Sequence, residues 1–275
     1  MLFSIDARLH YRFAEPCEVL LLLEAARSPE QRVIRDDLRL SVGEIAQCAD
    51  AATGERHALF DAQGEVEIHY AAEVEIARPD PAIADAAACR VRDLPAEALP
   101  YLRPSRYCPS DRFDGLVRRR FDGLEGGAKV VAILDFVHDH LAYEVGASDP
   151  FTTACETFAG GTGVCRDFTH LAISLCRAAD IPARAVSAYA WRLDPPDLHA
   201  VLEVFLEGRW RLADPTGKAP VEGLIRIATG RDAADIAFMN IFGRAEMVSQ
   251  SFAVREVTAR AANTDGPGRN VVVMA

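Results

Sequence analysis

Nowhere in the 275 residues does an apolar run reach 18 positions, which excludes a membrane-spanning helix of ordinary length. The N-terminus, Met1-Leu2-Phe3-Ser4-Ile5-Asp6-Ala7-Arg8, lacks the cationic segment followed by an unbroken apolar stretch that export requires, so a cytoplasmic location is expected. Seven cysteines, at 17, 48, 89, 108, 155, 165 and 176, form no C-x-x-C pair and are odd in number, as suits free thiols in a reducing compartment. Basic residues are in deficit: 30 against 41 acidic ones leave a net charge of -11, which argues against nucleic acid or an anionic membrane as a main partner. No Lys-Ser or Lys-Thr follows Gly160-Gly161-Thr162-Gly163, so those glycines are not a nucleotide phosphate cradle. His138 and His140 lie two apart, without the i, i+4 spacing of a helical zinc pair. No acidic calcium-loop spacing occurs. Neither metal nor cofactor is expected, and there is no internal repeat or low-complexity tract.

What is present supports globular folding. Half the residues are hydrophobic, and the length fits two modest domains. Ile5, Ala7, Leu9, Tyr11 and Phe13 alternate with Asp6, Arg8, His10 and Arg12, the signature of a half-buried strand. Val19 to Leu23, Leu38 with Leu40, and Val66 to Ile76 extend the β pattern. Residues 1–78 are therefore expected to form a small antiparallel β-sandwich. Pro79, Pro81, Pro95, Pro100, Pro104 and Pro109 mark 79–110 as a proline-rich linker packed on both domains, and 111–275 as the second domain.

The second domain turns helical. Val130, Ile133, Leu134, Val137 and Leu141 form one face of an amphipathic helix, and Thr152 or Thr153 can cap a short helix that stops at Gly160-Gly161. Cys165 then opens a helix whose apolar stripe is Phe168, Leu171, Ala172, Leu175 and Ala179, ending before Ile181-Pro182. A thiol at a helix N-terminus meets unpaired N–H groups and the positive end of the macrodipole, both of which favour the nucleophilic thiolate. Arg166 favours thiolate as well, and Asp167 opposes it. Asp232 to Phe242 reads as a capped helix, and Val254 to Val257 and Val271 to Val273 as terminal strands.

Two further residues complete a possible catalytic set. Leu198 to Leu206 and Arg209 to Asp214 flank Glu207-Gly208, the pattern of a hairpin with a two-residue turn. Pairing Leu206 with Arg209 makes paired numbers sum to a constant, which places Val201 opposite Asp214 and His199 diagonally across from it on the same face, roughly 7 to 8 Å away at the backbone. Imidazole and carboxylate can close that gap. His199 can then take the Cys165 proton and return it to a leaving amine, while Asp214 orients the ring. The Cys165 backbone N–H is a donor for an oxyanion, and Tyr143, Tyr189 and Trp191 are candidates for a second donor.

Gly163-Val164-Cys165-Arg166-Asp167-Phe168, Asp180-Ile181-Pro182-Ala183-Arg184, Leu198-His199-Ala200 and Asp214-Pro215-Thr216, in this order, resemble the transglutaminase-like superfamily of papain-type enzymes over roughly residues 125 to 220. The β-rich N-terminus and Thr229 to Asp235 look like bacterial members with an N-terminal transglutaminase-associated domain. The resemblance implies an α+β fold, a papain-like core whose Cys-bearing helix packs on an antiparallel sheet, and a catalytic triad of Cys165, His199 and Asp214. Asp180 departs from the glycine that relatives often place at that helix end. The expected activity is that of a thiol enzyme acting on a peptide or protein substrate through a Cys165 thioester resolved mainly by water. Glutamine transglutaminase or deamidase activity is the alternative, and a non-catalytic scaffold on the same fold is the alternative from another class.

Overall fold

A computed structural model of the protein describes residues 1–78 and 82–257. Two long strands, β1 (Leu2–Leu21) and β4 (Arg56–Ile76), run antiparallel along the N-terminal domain, with β2 (Gln31–Leu40) and β3 (Ala46–Ala49) both paired to β4. The alternation of β1 is realised: Ile5, Ala7, Leu9, Tyr11 and Phe13 are all buried. Between Phe13 and Cys17 the register against β4 shifts, from Phe13 opposite Gly64 to Cys17 opposite Ala62. A two-residue shift matches the side-chain period of a strand, so Cys17, Val19 and Leu21 remain on the buried face.

Residues 1–78 do not complete the N-terminal sheet. The other edge of β1 is covered by β11 (Met239–Phe242) and β12 (Ala245–Glu256), returning from the far end of the chain to complete a six-stranded antiparallel sheet. An uncovered edge as long as β1 would expose a row of unpaired N–H and C=O groups, which explains the return. Residues 239–256 therefore belong to the N-terminal sheet and not to the catalytic core. The helix expected over Asp232 to Phe242 is likewise one turn only, α5 (Ala233–Ile236), capped by Asp232 accepting from Ala234 N–H at 3.0 Å; Met239 and Ile241 pair as strand. The expected strands at 254–257 fall largely within β12, and those at 271–273 lie outside the described residues, as does Pro79 to Pro81.

The described part of the linker carries three 3-10 turns, Val91–Asp93, Ala96–Leu102 and Ser110–Arg112. It is strapped to the core by Arg211 Nη1 donating to Ala82 O at 2.8 Å, Tyr107 N–H to Asp232 Oδ2 at 2.9 Å, and Arg177 Nη1 to Arg103 O at 3.0 Å.

The core begins with α1 (Asp114–Arg120), α2 (Gly126–His140), β5 (Ala142–Tyr143), α3 (Ala154–Gly160) and β6 (Thr162–Gly163). Then follow α4 (Cys165–Ala178), β7 (Ala183–Ala190), β8 (Leu198–Leu206), β9 (Arg209–Ala213) and β10 (Leu224–Gly230), the last four forming an antiparallel sheet in the order β10-β7-β8-β9. Helix α4 lies between this sheet and α2 and α3. It is buried on every side, Thr169, His170 and Ser174 included, where sequence periodicity indicates a single stripe. Its end is left-handed at Asp180, φ 59°, with Ile181 N–H bonded back to Cys176 O at 3.0 Å, so the aspartate takes the conformation for which glycine is favoured.

One hydrophobic core runs through both units. Tyr189 stacks on Tyr70 with ring centroids 6.2 Å apart, and Trp191 meets Phe3 at 5.6 Å. Polar clips accompany them: Gln31 Nε2 donates to Arg226 O at 2.8 Å, and Thr229 N–H to Glu55 Oε1 at 2.8 Å. Glu203, fully buried, is held between Arg184 and Arg226. No helix among the described residues is long and apolar enough to cross a membrane.

Candidate active site

The nucleophile's position is set by the turn that precedes it. Helix α3 stops at Gly161, whose φ of 69° satisfies the left-handed cap. The next two residues are not a plain helix-entry turn: β6 pairs in parallel with β5, Tyr143 opposite Gly163. A Cβ on Gly163 would sit 2.6 Å from the Cβ of Asp167, so only glycine allows the strand to pass this close to α4. Asp167 is fully buried at the third helical position. Its Oδ2 accepts from Val164 N–H at 2.8 Å and Ser148 Oγ at 2.5 Å, and its Oδ1 faces Arg166 Nη2 at 3.1 Å. The sequence alone presents Asp167 as a charge opposing thiolate; in the fold it caps the helix start. The signal for that role is an acid three residues after Val164.

His199 and Asp214 meet as the hairpin register requires. Leu206 pairs with Arg209, Phe205 with Trp210, and Leu202 with Ala213, and Glu207 and Gly208 both have positive φ, 51° and 76°, the backbone of a type I′ turn. Asp214 follows β9 immediately, and its Oδ2 accepts from His199 Nε2 at 2.9 Å. Three further donors fix the carboxylate: Thr216 N–H at 2.9 Å and Thr216 Oγ1 at 2.7 Å on Oδ1, and Ala219 N–H at 3.1 Å on Oδ2. With Nε2 engaged by the acid, Nδ1 is the nitrogen left for the thiol. Burial lowers the imidazolium pKa of His199, but hydrogen bonds to Asp214 and Cys165, and the charges of both, outweigh it and raise the value to about 9. The Asp214 carboxyl is likewise raised by burial and lowered further by His199 and Thr216, ending below the usual range.

Helix and strand are locked together beside these groups. Thr169, one turn beyond Cys165, donates from Oγ1 to Ala200 O at 3.0 Å, tying α4 to the residue after His199. Cys165 is half-buried and lines, with His199, a cleft of about 430 Å³. The wall is mostly apolar and includes Pro150, Leu198, Ile236 and Phe238, and β12 adds Gln250, so the N-terminal sheet contributes to the site.

Of the three candidate oxyanion donors, the structure brings one to the thiol. Burial first, then the negative charge at Cys165, pushes the Tyr143 phenol up to about 12, while a hydrogen bond donated by the Cys165 backbone N–H to the phenolic oxygen acts in the opposite sense; its ring is held by Lys218 Nζ 4.2 Å from the centroid. Tyr189 is fully buried and donates to Leu23 O at 2.7 Å, and Trp191 packs on Phe3. Both belong to the inter-domain core because the end of β7 and the residue after it carry these side chains toward the N-terminal sheet. Burial also pushes the thiols of Cys108 and Cys176 up to about 12 and that of Cys155 upward, leaving them inert packing groups. His140 donates from Nε2 to Phe158 O at 2.8 Å.

A cysteine at the start of a central helix, facing a histidine on the adjacent antiparallel sheet and an acid at the end of the next strand, defines a papain-like fold with thiol chemistry. The chain belongs to the transglutaminase-like superfamily, whose sequence model matches residues 118–215. A solved structure of a candidate cysteine protease from Cytophaga hutchinsonii is similar over nearly the whole length, with 33% identity, a TM-score of 0.87, and coverage of 94% of this chain and 92% of that one. An uncharacterized protein of Mycobacterium leprae is 30% identical over 149 residues, 50% of this chain, and the chain spans about half (52%) of that relative's length. The periplasmic domain of TgpA from Pseudomonas aeruginosa superimposes with a TM-score of 0.41 at 14% identity, covering 78% of this chain and 90% of that one. The family and the Cytophaga relative support thiol-dependent activity in general.

Proposed function

We propose that the protein is a cysteine hydrolase that opens a peptide or carboxamide bond through a thioester at Cys165. The observation that carries this reading is the 2.9 Å bond from His199 Nε2 to Asp214, which orients the imidazole and leaves Nδ1 to serve the thiol. Cys165 gives its proton to Nδ1, its sulfur attacks the carbonyl carbon, and the tetrahedral oxyanion takes the Cys165 backbone N–H over from the Tyr143 oxygen, leaving the Tyr143 hydroxyl free to donate as well. The imidazolium returns the proton to the departing amine. Water, deprotonated by the same nitrogen, then cleaves the thioester and releases the acid. Asp214 keeps its charge throughout and steadies the imidazolium.

The partner in this reading is a peptide or protein substrate, and the location is the cytoplasm, in keeping with seven free cysteines. Peptide-library turnover, read as cleavage, deamidation and amine incorporation with and without added alkylamine, tests it. Cleavage or amide hydrolysis is expected with the wild type and none with Cys165→Ala, whose fold by circular dichroism is unchanged. Undiminished turnover by that variant contradicts the mechanism, and products dominated by amine incorporation replace hydrolysis with transglutamination.

A further inference from the structure

The cleft beside Cys165 carries an unbalanced set of charges. Arg166 lines it but is committed: its Nε and Nη2 lie 3.3 and 3.1 Å from Asp167 Oδ1, and Nη2 also reaches Ser148 Oγ at 3.1 Å and Asp149 O at 2.8 Å. Cys165 and His199 exchange one proton and add no net charge between them. The remaining charged lining residue is Asp197, two positions before His199 where the chain enters β8. Its Oδ1 accepts from Leu198 N–H at 2.7 Å. Among the described residues no lysine or arginine forms an ion pair with it, and it lines the cleft.

The same cleft is lined largely by apolar side chains, Leu198, Ala200, Ile236, Ala237 and Phe238 among them. An apolar wall ending at one uncompensated carboxylate is the complement of an aliphatic stem ending in a cation, because such side chains cover apolar surface with their methylenes while the head reaches a polar partner. Asp197 is exposed at the cleft wall, so an incoming cation can reach its carboxylate directly. Neutral or acidic side chains offer it nothing in exchange.

We propose that Asp197 is a specificity-determining residue that selects a lysine or arginine side chain next to the scissile amide of the substrate. The proposal rests on the thiol-hydrolase reading of the same cleft, and it is tested first by binding, which needs no turnover.

Peptides identical except for Lys, Arg, norleucine or Glu at the residue flanking the target amide would be titrated by calorimetry into Cys165→Ala and into Cys165→Ala/Asp197→Asn. The asparagine keeps the acceptor for Leu198 N–H, so the loop retains its anchor. The Lys and Arg peptides are expected to bind Cys165→Ala about threefold to fivefold tighter than norleucine, the gain of a solvent-exposed ion pair, and this ratio should collapse toward one in the double variant. Asp197→Lys should reverse the order in favour of Glu. Equal affinities of Lys and norleucine peptides for Cys165→Ala overturn the assignment, as does a preference that survives Asp197→Asn or that resides in an added alkylamine. Cleavage of the same peptides by the wild-type chain is the separate check on the hydrolase reading: basic selectivity in binding without any turnover would sink that reading and leave the cation subsite standing.

Discussion

Replacing Asp214 with asparagine removes the charge that holds His199 as an imidazolium while nearly preserving its shape. In the wild type the His199 pKa stands near 9 against an ordinary 6.5, even though burial opposes the charged ring. At about 1.4 kcal/mol per decade, that is about 3 kcal/mol in favour of the imidazolium. Asp214 and Cys165 supply it together, by hydrogen bonding and by charge. With asparagine the ring keeps its burial and loses the larger partner, so its pKa should fall to 6.5 or below. Turnover should drop by about 10² to 10⁴, since the wrong tautomer and an unsteadied imidazolium both impair the proton relay. Histidine side-chain NMR reads the titration directly, and Cys165→Ala separates the sulfur's share from the acid's. The same shift has a stability consequence of fixed sign. Because the folded pKa is raised, the His199 contribution is complete below about pH 6.5 and is lost as pH rises through about 9. An Asp214→Asn variant whose His199 still titrates near 9, or whose stability keeps the wild-type alkaline slope, would refute the reasoning.

Two further predictions concern groups that do no chemistry. His170, buried beneath the cleft and stacked on Tyr107 at 5.1 Å, has its pKa lowered by desolvation to about 4; the unfolded chain therefore takes up a proton that the native state refuses. Stability should fall by about 3 kcal/mol as pH drops from about 6.5 to 4, and His170→Phe should flatten that slope in urea titrations; an unchanged slope contradicts the burial argument. Arg226→Met removes one of the two guanidinium partners of the fully buried Glu203 and should cost about 3 kcal/mol, partly recovered by adding Glu203→Gln; a single variant as stable as wild type would mean that the pair is dispensable.

Much of the site was legible because its geometry is local. The Glu207-Gly208 turn fixes the β8 and β9 register, and the register alone carries His199 to Asp214. Helix α4 was equally readable, because a glycine-rich entry and a 3.6-residue apolar repeat lie within a short stretch of chain. What the sequence concealed depends on contacts between distant segments. Nothing in Ala245 to Glu256 says that it will pair with β1 about 240 residues earlier, since an alternating strand advertises an edge and not the identity of its partner. The domain boundary and Gln250 in the cleft were lost for that reason. Thr169 and Thr216 escaped notice because a hydroxyl that bonds a carbonyl or a carboxylate has no spacing signature; only the fold puts Thr169 under Ala200 and Thr216 beside Asp214. In sequence Tyr189 and Trp191 are equivalent to Tyr143 as donors; only the fold separates them, by packing both into the inter-domain core.

The account stands on Cys165 and His199 acting as one unit, and brief iodoacetamide labelling with peptide mass spectrometry measures that directly at about pH 6, where the imidazolium is intact. The wild-type chain should be alkylated at Cys165 about tenfold or more faster than at the exposed Cys48, and His199→Ala should erase the difference. Labelling of Cys165 no faster than of Cys48, or unaffected by loss of His199, would contradict it.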